Sequence, residues 1–247
     1  MQLTLPAPGQ AALLLDVDGT LLDLASTPAA VVVPSDLLDT LRRLRRHLCD
    51  ALGVVTGRPV AQVDALLPGA PFAVAGEHGG AIRHAPHAPL VRSSLPDPPA
   101  EWIMRAADLI AAHPGALLEQ KQRGFVLHYR LAPQAGPALH EAVAALIAPD
   151  AGRFQVLEAS MAWEVRPRGV DKGIAVDTLC AESPFAGRLP IFIGDDVTDE
   201  DGIRVAQALG GAGLRVDEAF GTPEHVRDWL RRSADALDAG EKGWASI

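Results

Sequence analysis

An unbroken apolar run, Ala11-Ala12-Leu13-Leu14-Leu15, ends in Asp16-Val17-Asp18-Gly19-Thr20. A segment that is apolar at every position fits a strand buried on both faces of a parallel sheet. Gly19 marks where that strand stops. Open α/β sheets bind their ligands beyond the carboxyl ends of their strands, so Asp16 and Asp18 stand where a ligand would sit. Two carboxylates this close repel each other. A divalent cation between them makes the arrangement tolerable, and one can then act as nucleophile while the other moves protons. The same residues also read as an ordinary strand end and turn, because Asp and Gly are common turn formers. The apolar strand in front of them favours the functional reading.

Strand-like and helix-like segments alternate along most of the chain, which predicts an α/β fold with a mostly parallel sheet. Strands are expected near 11–16, 51–55, 72–76, 189–194 and 213–216, and helices near 36–48, 59–66, 171–181, 199–208 and 223–238. The middle differs. After the breaker cluster Pro96-Asp97-Pro98-Pro99 come a helix (100–113), two strands (116–121 and 124–131), a helix (134–148) and two more strands (153–158 and 161–166). This order predicts an inserted α+β domain over 96–168, flanked by core segments 1–95 and 169–247.

The bulk numbers narrow the function classes. A net charge of −9 disfavours non-specific binding to nucleic acid or an anionic membrane. Apolar runs such as Ala29–Val33 stop far short of a membrane span. No basic residue precedes the first apolar run, which reads against a secretory leader and for a cytoplasmic location. Cys49 and Cys180 have no motif spacing and are expected to be free, buried thiols. The cluster Arg42-Arg43-Leu44-Arg45-Arg46 interrupts a leucine stripe (Leu37, Leu38, Leu41, Leu44, Leu48), so its arginines are most simply the wet face of an amphipathic helix. Among 22 basic residues only Lys121, Lys172 and Lys242 are lysines. In such a chain a lysine suggests a site where the planar fork of arginine does not serve.

Three further segments carry chemistry. Val54-Val55-Thr56-Gly57-Arg58-Pro59 is an apolar strand ending in a hydroxyl and a turn that suit a phosphate, though strand-to-helix turns commonly look like this. Gly169-Val170-Asp171-Lys172-Gly173 opens a helix with Asp171 as N-cap, and Lys172 either reaches into the site or lies solvated on the surface. Ile191-Phe192-Ile193-Gly194 runs into Asp195, Asp196, Asp199, Glu200 and Asp201. Five acids in so short a stretch need a counter-charge, and carboxylate oxygens suit Mg²⁺. Asp199 and Glu200 are equally explained by the N-terminus of the following helix.

Four strand ends thus supply Asp16 and Asp18, Thr56, Lys172, and Asp195 and Asp196, in that order. The set resembles the haloacid dehalogenase (HAD) superfamily of phosphotransferases. Within it the chain is most similar to the trehalose-6-phosphate phosphatase family. The stretches that carry this likeness are Gly76-Glu77-His78-Gly79, Leu118-Glu119-Gln120-Lys121 running on to His128-Tyr129-Arg130, Glu164-Val165-Arg166-Pro167-Arg168-Gly169, and Gly194-Asp195-Asp196-Val197-Thr198-Asp199-Glu200.

The resemblance implies a Rossmann-like HAD core with a C2-type α+β cap, and hydrolysis of trehalose 6-phosphate through an aspartyl-phosphate. Asp16 would attack phosphorus, and Asp18 would protonate the departing sugar oxygen and then activate water. Family ATPases carry threonine at the place of Asp18 and dehalogenases lack the acid, so an aspartate favours phosphate-ester hydrolysis. Mg²⁺ would be held by Asp16, the Val17-Asp18 backbone and Asp195, with Asp196 or Asp199 direct or through water. Thr56 and Lys172 would hold the non-bridging oxygens, with Gly57 and Arg58 beside them. In the cap, Glu119, Lys121 and Glu164 are expected to bind sugar hydroxyls, with His78, Arg130 and Arg58 as further candidates; Glu119 and Lys121 also fit an exposed strand face. Tyr129 is expected to pack in a core. The implied partner is a small sugar phosphate bound by a monomer. Related readings are a phosphatase for sucrose 6-phosphate or a glucosyl- or mannosylglycerate phosphate, and a non-catalytic regulatory domain.

Overall fold

The computed structural model describes residues 5–25, 30–121 and 123–247. Ala29, at the head of the apolar run noted above, lies outside them. Two compact units divide the chain. One joins the residues up to Ser93 with Val170–Ile247, and the other is Ser94–Gly169. The first segment runs β1 (Ala11–Leu15), α1 (Leu37–His47), β2 (Leu52–Val55), α2 (Val60–Leu66), β3 (Ala73–Gly76), β4 (Ala81–Arg83) and β5 (Val91–Arg92). The second unit holds α3 (Ala100–Ala111), β6 (Leu117–Lys121), β7 (Gly124–His128), α4 (Gly136–Ile147), β8 (Phe154–Ala159) and β9 (Ala162–Pro167). The chain closes with α5 (Lys172–Cys180), β10 (Leu189–Gly194), α6 (Glu200–Ala208), β11 (Ala212–Arg215), α7 (Val216–Ala219) and α8 (Pro223–Asp238). Among the described residues no helix is long and apolar enough to cross a membrane.

The larger unit is built on a seven-stranded sheet in the order β11-β10-β1-β2-β3-β4-β5. Strands β11 to β3 run parallel, and β4 and β5 add an antiparallel edge. The edge is absent from the sequence-based expectation. β4 has three residues and β5 two exposed ones, too short for a period to register. β1 is central and buried at every position, as a strand covered on both faces must be. From β1 the chain moves outward through β2 and β3, then returns to place β10 on the opposite side of β1. The crevice at this reversal, beyond the carboxyl ends of β1 and β10, is where such sheets bind ligands. Leu15 pairs with Ile193, so Asp16 and the Gly194-Asp195 segment leave the sheet side by side.

The helices cover the sheet as their stripes dictate. Leu37, Leu41 and Leu44 of α1 are buried, and Leu48 just beyond it. Arg43 on the wet side pairs with Asp235 and Asp238 of α8, each at 2.7 Å. α8 buries Val226, Trp229, Leu230 and Leu237. Cys49 departs from expectation: it follows α1 in a left-handed turn (φ +48°) and is exposed, because that turn points away from the core. Cys180 is half-buried, and both thiols are free.

The smaller unit is an antiparallel sheet in the order β6-β7-β9-β8. Strand alternation divides its two faces. Phe125, Leu127, Phe154 and Val165 pack with Trp102 and Ala106 of α3 and Leu139 and Val143 of α4. Trp102 meets Phe154 edge-on at 4.9 Å between ring centres. Tyr129 belongs to this same apolar cluster, as its alternation predicts. The opposite face carries Glu119, Lys121, Val126, His128, Glu164 and Arg166, by their pairing register.

Candidate active site

Asp16 is the first residue beyond β1 and is only 4% exposed; its N–H donates to the Ile193 carbonyl at 2.9 Å. Gly19 turns the chain at φ +78°, and a Cβ there would fall 2.0 Å from a carboxylate oxygen of Asp195. Glycine therefore serves twice here, for the left-handed turn and for the close approach of the β10 loop. Thr20 Oγ1 adds a weak 3.4 Å hydrogen bond to Asp195 Oδ1.

Lys172 opens α5, whose N-cap Asp171 accepts from the Ile174 N–H at 2.8 Å. This start fixes the helix end from which the Lys172 side chain runs inward. Its Nζ donates to Asp16 Oδ1 at 2.8 Å and to Asp199 Oδ1 at 2.6 Å. All three side chains are at most 5% exposed. Asp199 Oδ2 accepts from the N–H groups of Asp195 and Asp196, at 3.2 and 3.0 Å. Asp199 thus ties the β10 loop to the lysine, and the helix-terminus reading accounts for only part of its role.

Three carboxylates face one ammonium here. Burial pushes the Asp16 carboxyl well above its ordinary range, and Asp199 and Asp195 add to this, while Lys172 opposes it. Asp195 is pushed up to about 6, by burial first and then by Asp199. Burial works against the charge of Lys172, but Asp16 and Asp199 outweigh it and hold the ammonium above its ordinary value. The cluster is short of positive charge. One oxygen each from Asp16, Asp195 and Asp199 lie within 4.8 Å of one another. An all-oxygen, anionic set of this kind fits a hard cation such as Mg²⁺.

The side chains of Asp196 and Asp18 lie outside this three-carboxylate set. Asp196 Oδ1 accepts from the Val197 N–H at 2.6 Å as a cap of the short turn before α6, and the third carboxylate of the cluster is Asp199. The sequence left the two open; of them, Asp199 is the one with an oxygen beside those of Asp16 and Asp195. The Asp18 side chain does not join the cluster either. Its two oxygens accept from Arg58 Nε and Nη2, both at 2.6 Å. Arg215 was not anticipated: it binds the Asp195 carbonyl at 3.0 Å and pairs with Glu200, supplying part of the counter-charge the acidic run needs.

Thr56 follows β2 and is 1% exposed, its Oγ1 accepting from the Arg58 N–H at 3.2 Å. A Cβ on Gly57 would fall 2.7 Å from His78 Nε2, so only glycine lets that imidazole lie against the turn. His78 sits in a left-handed turn (φ +55°) and donates its N–H to the Thr56 carbonyl at 3.0 Å. Pro59 takes the N-cap position of α2, just before its first turn. The larger unit therefore carries Asp16, Asp18, Thr56, Gly57, Arg58, His78, Lys172 and Asp195.

Glu119, Lys121, Arg130 and Glu164 belong to the smaller unit. Glu119 Oε1 meets Lys121 Nζ at 2.7 Å, and Oε2 meets His128 Nε2 at 2.8 Å. These contacts, led by the His128 hydrogen bond, hold the Glu119 carboxyl down at about 2. Val126 stands opposite both Glu119 and Glu164, so the two acids flank it on the same face. Glu164 is 9% and Arg166 7% exposed. In the sequence Arg166 stands out only within the Glu164–Gly169 motif; its alternation with Glu164 is the signal that places it on this face. Arg130 instead reaches the turn after β8, donating to Ser160 Oγ at 3.1 Å.

The model of the trehalose-phosphatase family matches residues 14–224. The chain is 37% identical to the trehalose-6-phosphate phosphatase of Escherichia coli (strain K12) over 237 residues, covering 90% of this chain and 86% of that one. It is 39% identical over 208 residues to a probable trehalose-phosphate phosphatase of Sinorhizobium fredii, covering 83% and 77%. Among solved structures, the C-terminal domain of the C. albicans trehalose-6-phosphate phosphatase superposes with a TM-score of 0.73 at 21% identity, over 94% of this chain and 93% of that domain, a likeness of fold.

Proposed function

The chain belongs to the trehalose-phosphatase family of phosphatase enzymes, and on that premise we propose that it hydrolyses trehalose 6-phosphate to trehalose and phosphate, with Mg²⁺, through an aspartyl-phosphate on Asp16. The observation that carries this reading is the buried contact of Lys172 with Asp16 among three carboxylates at the β1/β10 crevice.

Asp16 attacks phosphorus in line and Lys172 keeps its carboxylate oriented. The Lys172 ammonium, from the start of α5, and the Thr56 hydroxyl, just after β2, bind the non-bridging oxygens. Asp18 has a third of its side chain exposed, against 5% for Asp16, and is the carboxylate a leaving group can reach. It gives its proton to the departing sugar oxygen, then takes one from the water that cleaves the acyl phosphate. Mg²⁺, held by Asp16, Asp195 and Asp199, would offset the repulsion between an anionic ester and an anionic nucleophile. Glu119, Lys121 and Glu164 take sugar hydroxyls, a task for which paired carboxylates and an ammonium offer both acceptors and donors.

The test is phosphate release from trehalose 6-phosphate, sucrose 6-phosphate and glucose 6-phosphate, with Mg²⁺ and with chelator. The reading expects a strong, Mg²⁺-dependent preference for trehalose 6-phosphate. Preference for another ester would keep the chemistry and overturn the substrate. No release from any of them would overturn the function.

A further inference from the structure

We infer that Arg58 is a positioning residue for Asp18, setting the plane and reach of the carboxylate that exchanges protons with the leaving oxygen. The inference rests on the phosphatase reading and assigns Arg58 a task other than the substrate contact its sequence position suggests. Nε and Nη2 of one guanidinium each meet one oxygen of Asp18 at 2.6 Å. This two-bond, fork-to-fork geometry fixes a carboxylate in plane as well as in position.

The arginine is itself held. Its N–H donates to Thr56 Oγ1 at 3.2 Å, its carbonyl accepts from the Glu77 N–H at 3.0 Å, and Nη1 donates to Gln62 Oε1 at 3.2 Å, one turn into α2. The side chain is 9% exposed, so these anchors act with little competition from water. The backbone on either side of Asp18 is tied down, the Gly19 N–H to the Leu22 carbonyl and the Leu22 N–H to the Val17 carbonyl, both at 2.8 Å, which places its Cα but leaves the side-chain rotamer to be set by Arg58. A third-exposed aspartate left to itself would sample several rotamers. An ionised carboxylate offers about four acceptor sites. Arg58 fills two, one on each oxygen, and the proton that Asp18 gives up is carried on one of the remaining sites, facing the leaving oxygen. Positive charge alone would not do this, since a lysine has no planar fork.

In the first step, a residue acting through the proton donor matters only where the leaving group needs a proton. kcat/KM reports the steps up to leaving-group departure, so the comparison is kcat/KM for an alkyl ester, trehalose 6-phosphate, against p-nitrophenyl phosphate, whose phenolate departs without one. Arg58→Lys keeps the charge and loses the fork. It is expected to lower kcat/KM for the alkyl ester about 10-fold or more, within the usual range of general acid catalysis, through kcat with KM nearly unchanged, and to change the aryl ester less than about threefold. In an Asp18→Asn background the same substitution should have almost no further effect on the alkyl ester, because the two act as a unit. Gln62→Leu, on the surface, removes one anchor without touching the pair, and should give a smaller loss confined to the alkyl ester. It serves if Arg58→Lys does not fold. A rise in KM at constant kcat, equal losses on both esters, or additive losses in the double variant would overturn the inference. If the wild type prefers another alkyl ester, the substrate reading fails and the same comparison on that ester still decides the role of Arg58. If the wild type hydrolyses no ester, both fall.

Discussion

The Lys172 ammonium lies 2.8 Å from Asp16 and 2.6 Å from Asp199, and all three groups are withdrawn from water. This is a buried ion cluster with more acid than base. Removing one partner of a buried pair leaves an uncompensated charge, which costs about 3–5 kcal/mol. Lys172→Met should therefore destabilise the larger unit by about that amount in denaturant unfolding and also abolish phosphate release. Loss of activity with unchanged stability would mean the ammonium is not needed to hold Asp16 and Asp199 together.

The three-carboxylate set predicts a thermal shift independent of turnover. A ligand that binds the native state alone stabilises it by mass action, so Mg²⁺ should raise the Tm of the wild type. Asp195→Asn or Asp199→Asn should suppress that rise. Asp196→Asn should preserve it, because asparagine keeps the cap that Asp196 makes and the cluster does not use this side chain. A rise lost in Asp196→Asn and kept in Asp199→Asn would reverse the assignment.

Glu119 gives a pH prediction with a definite sign. Its carboxyl is lowered from an ordinary 4.5 to about 2, first by the His128 hydrogen bond. A group lowered on folding contributes stability that is fully present above its unfolded value and lost as pH falls through the folded one. The contribution of Glu119 should thus be intact above about pH 4.5 and disappear toward pH 2. Carboxyl-carbon NMR titration reads this directly, and His128→Ala should move the midpoint upward. An ordinary midpoint in the wild type would show that the Glu119–His128 contact does not form in solution.

Burial pushes the Cys180 thiol up to about 11, with Asp177 adding to the effect, and leaves it half-covered. The thiolate is the reactive form. Alkylation of the native protein near pH 8 should label the exposed Cys49 well before Cys180, as read by mass spectrometry of the two peptides. Equal labelling would place Cys180 in a more open setting.

What could be read from the chain follows physical lines. β1, β2, β3 and β10 were legible because central parallel strands are apolar on both faces. The α8 stripe was legible because its period is that of one buried face. The short β4–β5 edge was not, since two or three residues carry no period. Asp16 and Asp195 were legible as strand-end chemistry, and Lys172 as a rare lysine at a helix start. That Asp199 rather than Asp196 joins the Asp16–Asp195 cluster was not, because both sit in one acidic run and only tertiary burial beside Lys172 separates them. Arg58 was visible as a residue near the site, but its pairing with Asp18, 40 positions away, depends on where β2 lies next to β1. The role of Arg215 likewise follows from β11 pairing with β10.

The most direct test of the central claim is whether phosphorus becomes bonded to Asp16 during turnover. Trehalose 6-phosphate carrying labelled phosphate would be mixed with enzyme and Mg²⁺, quenched in acid within milliseconds, and digested for mass spectrometry. The account predicts label on the peptide holding Asp16, formed and lost at rates that support turnover, and none in Asp16→Asn. Sustained phosphate release with no label on Asp16, or by Asp16→Asn, would contradict it.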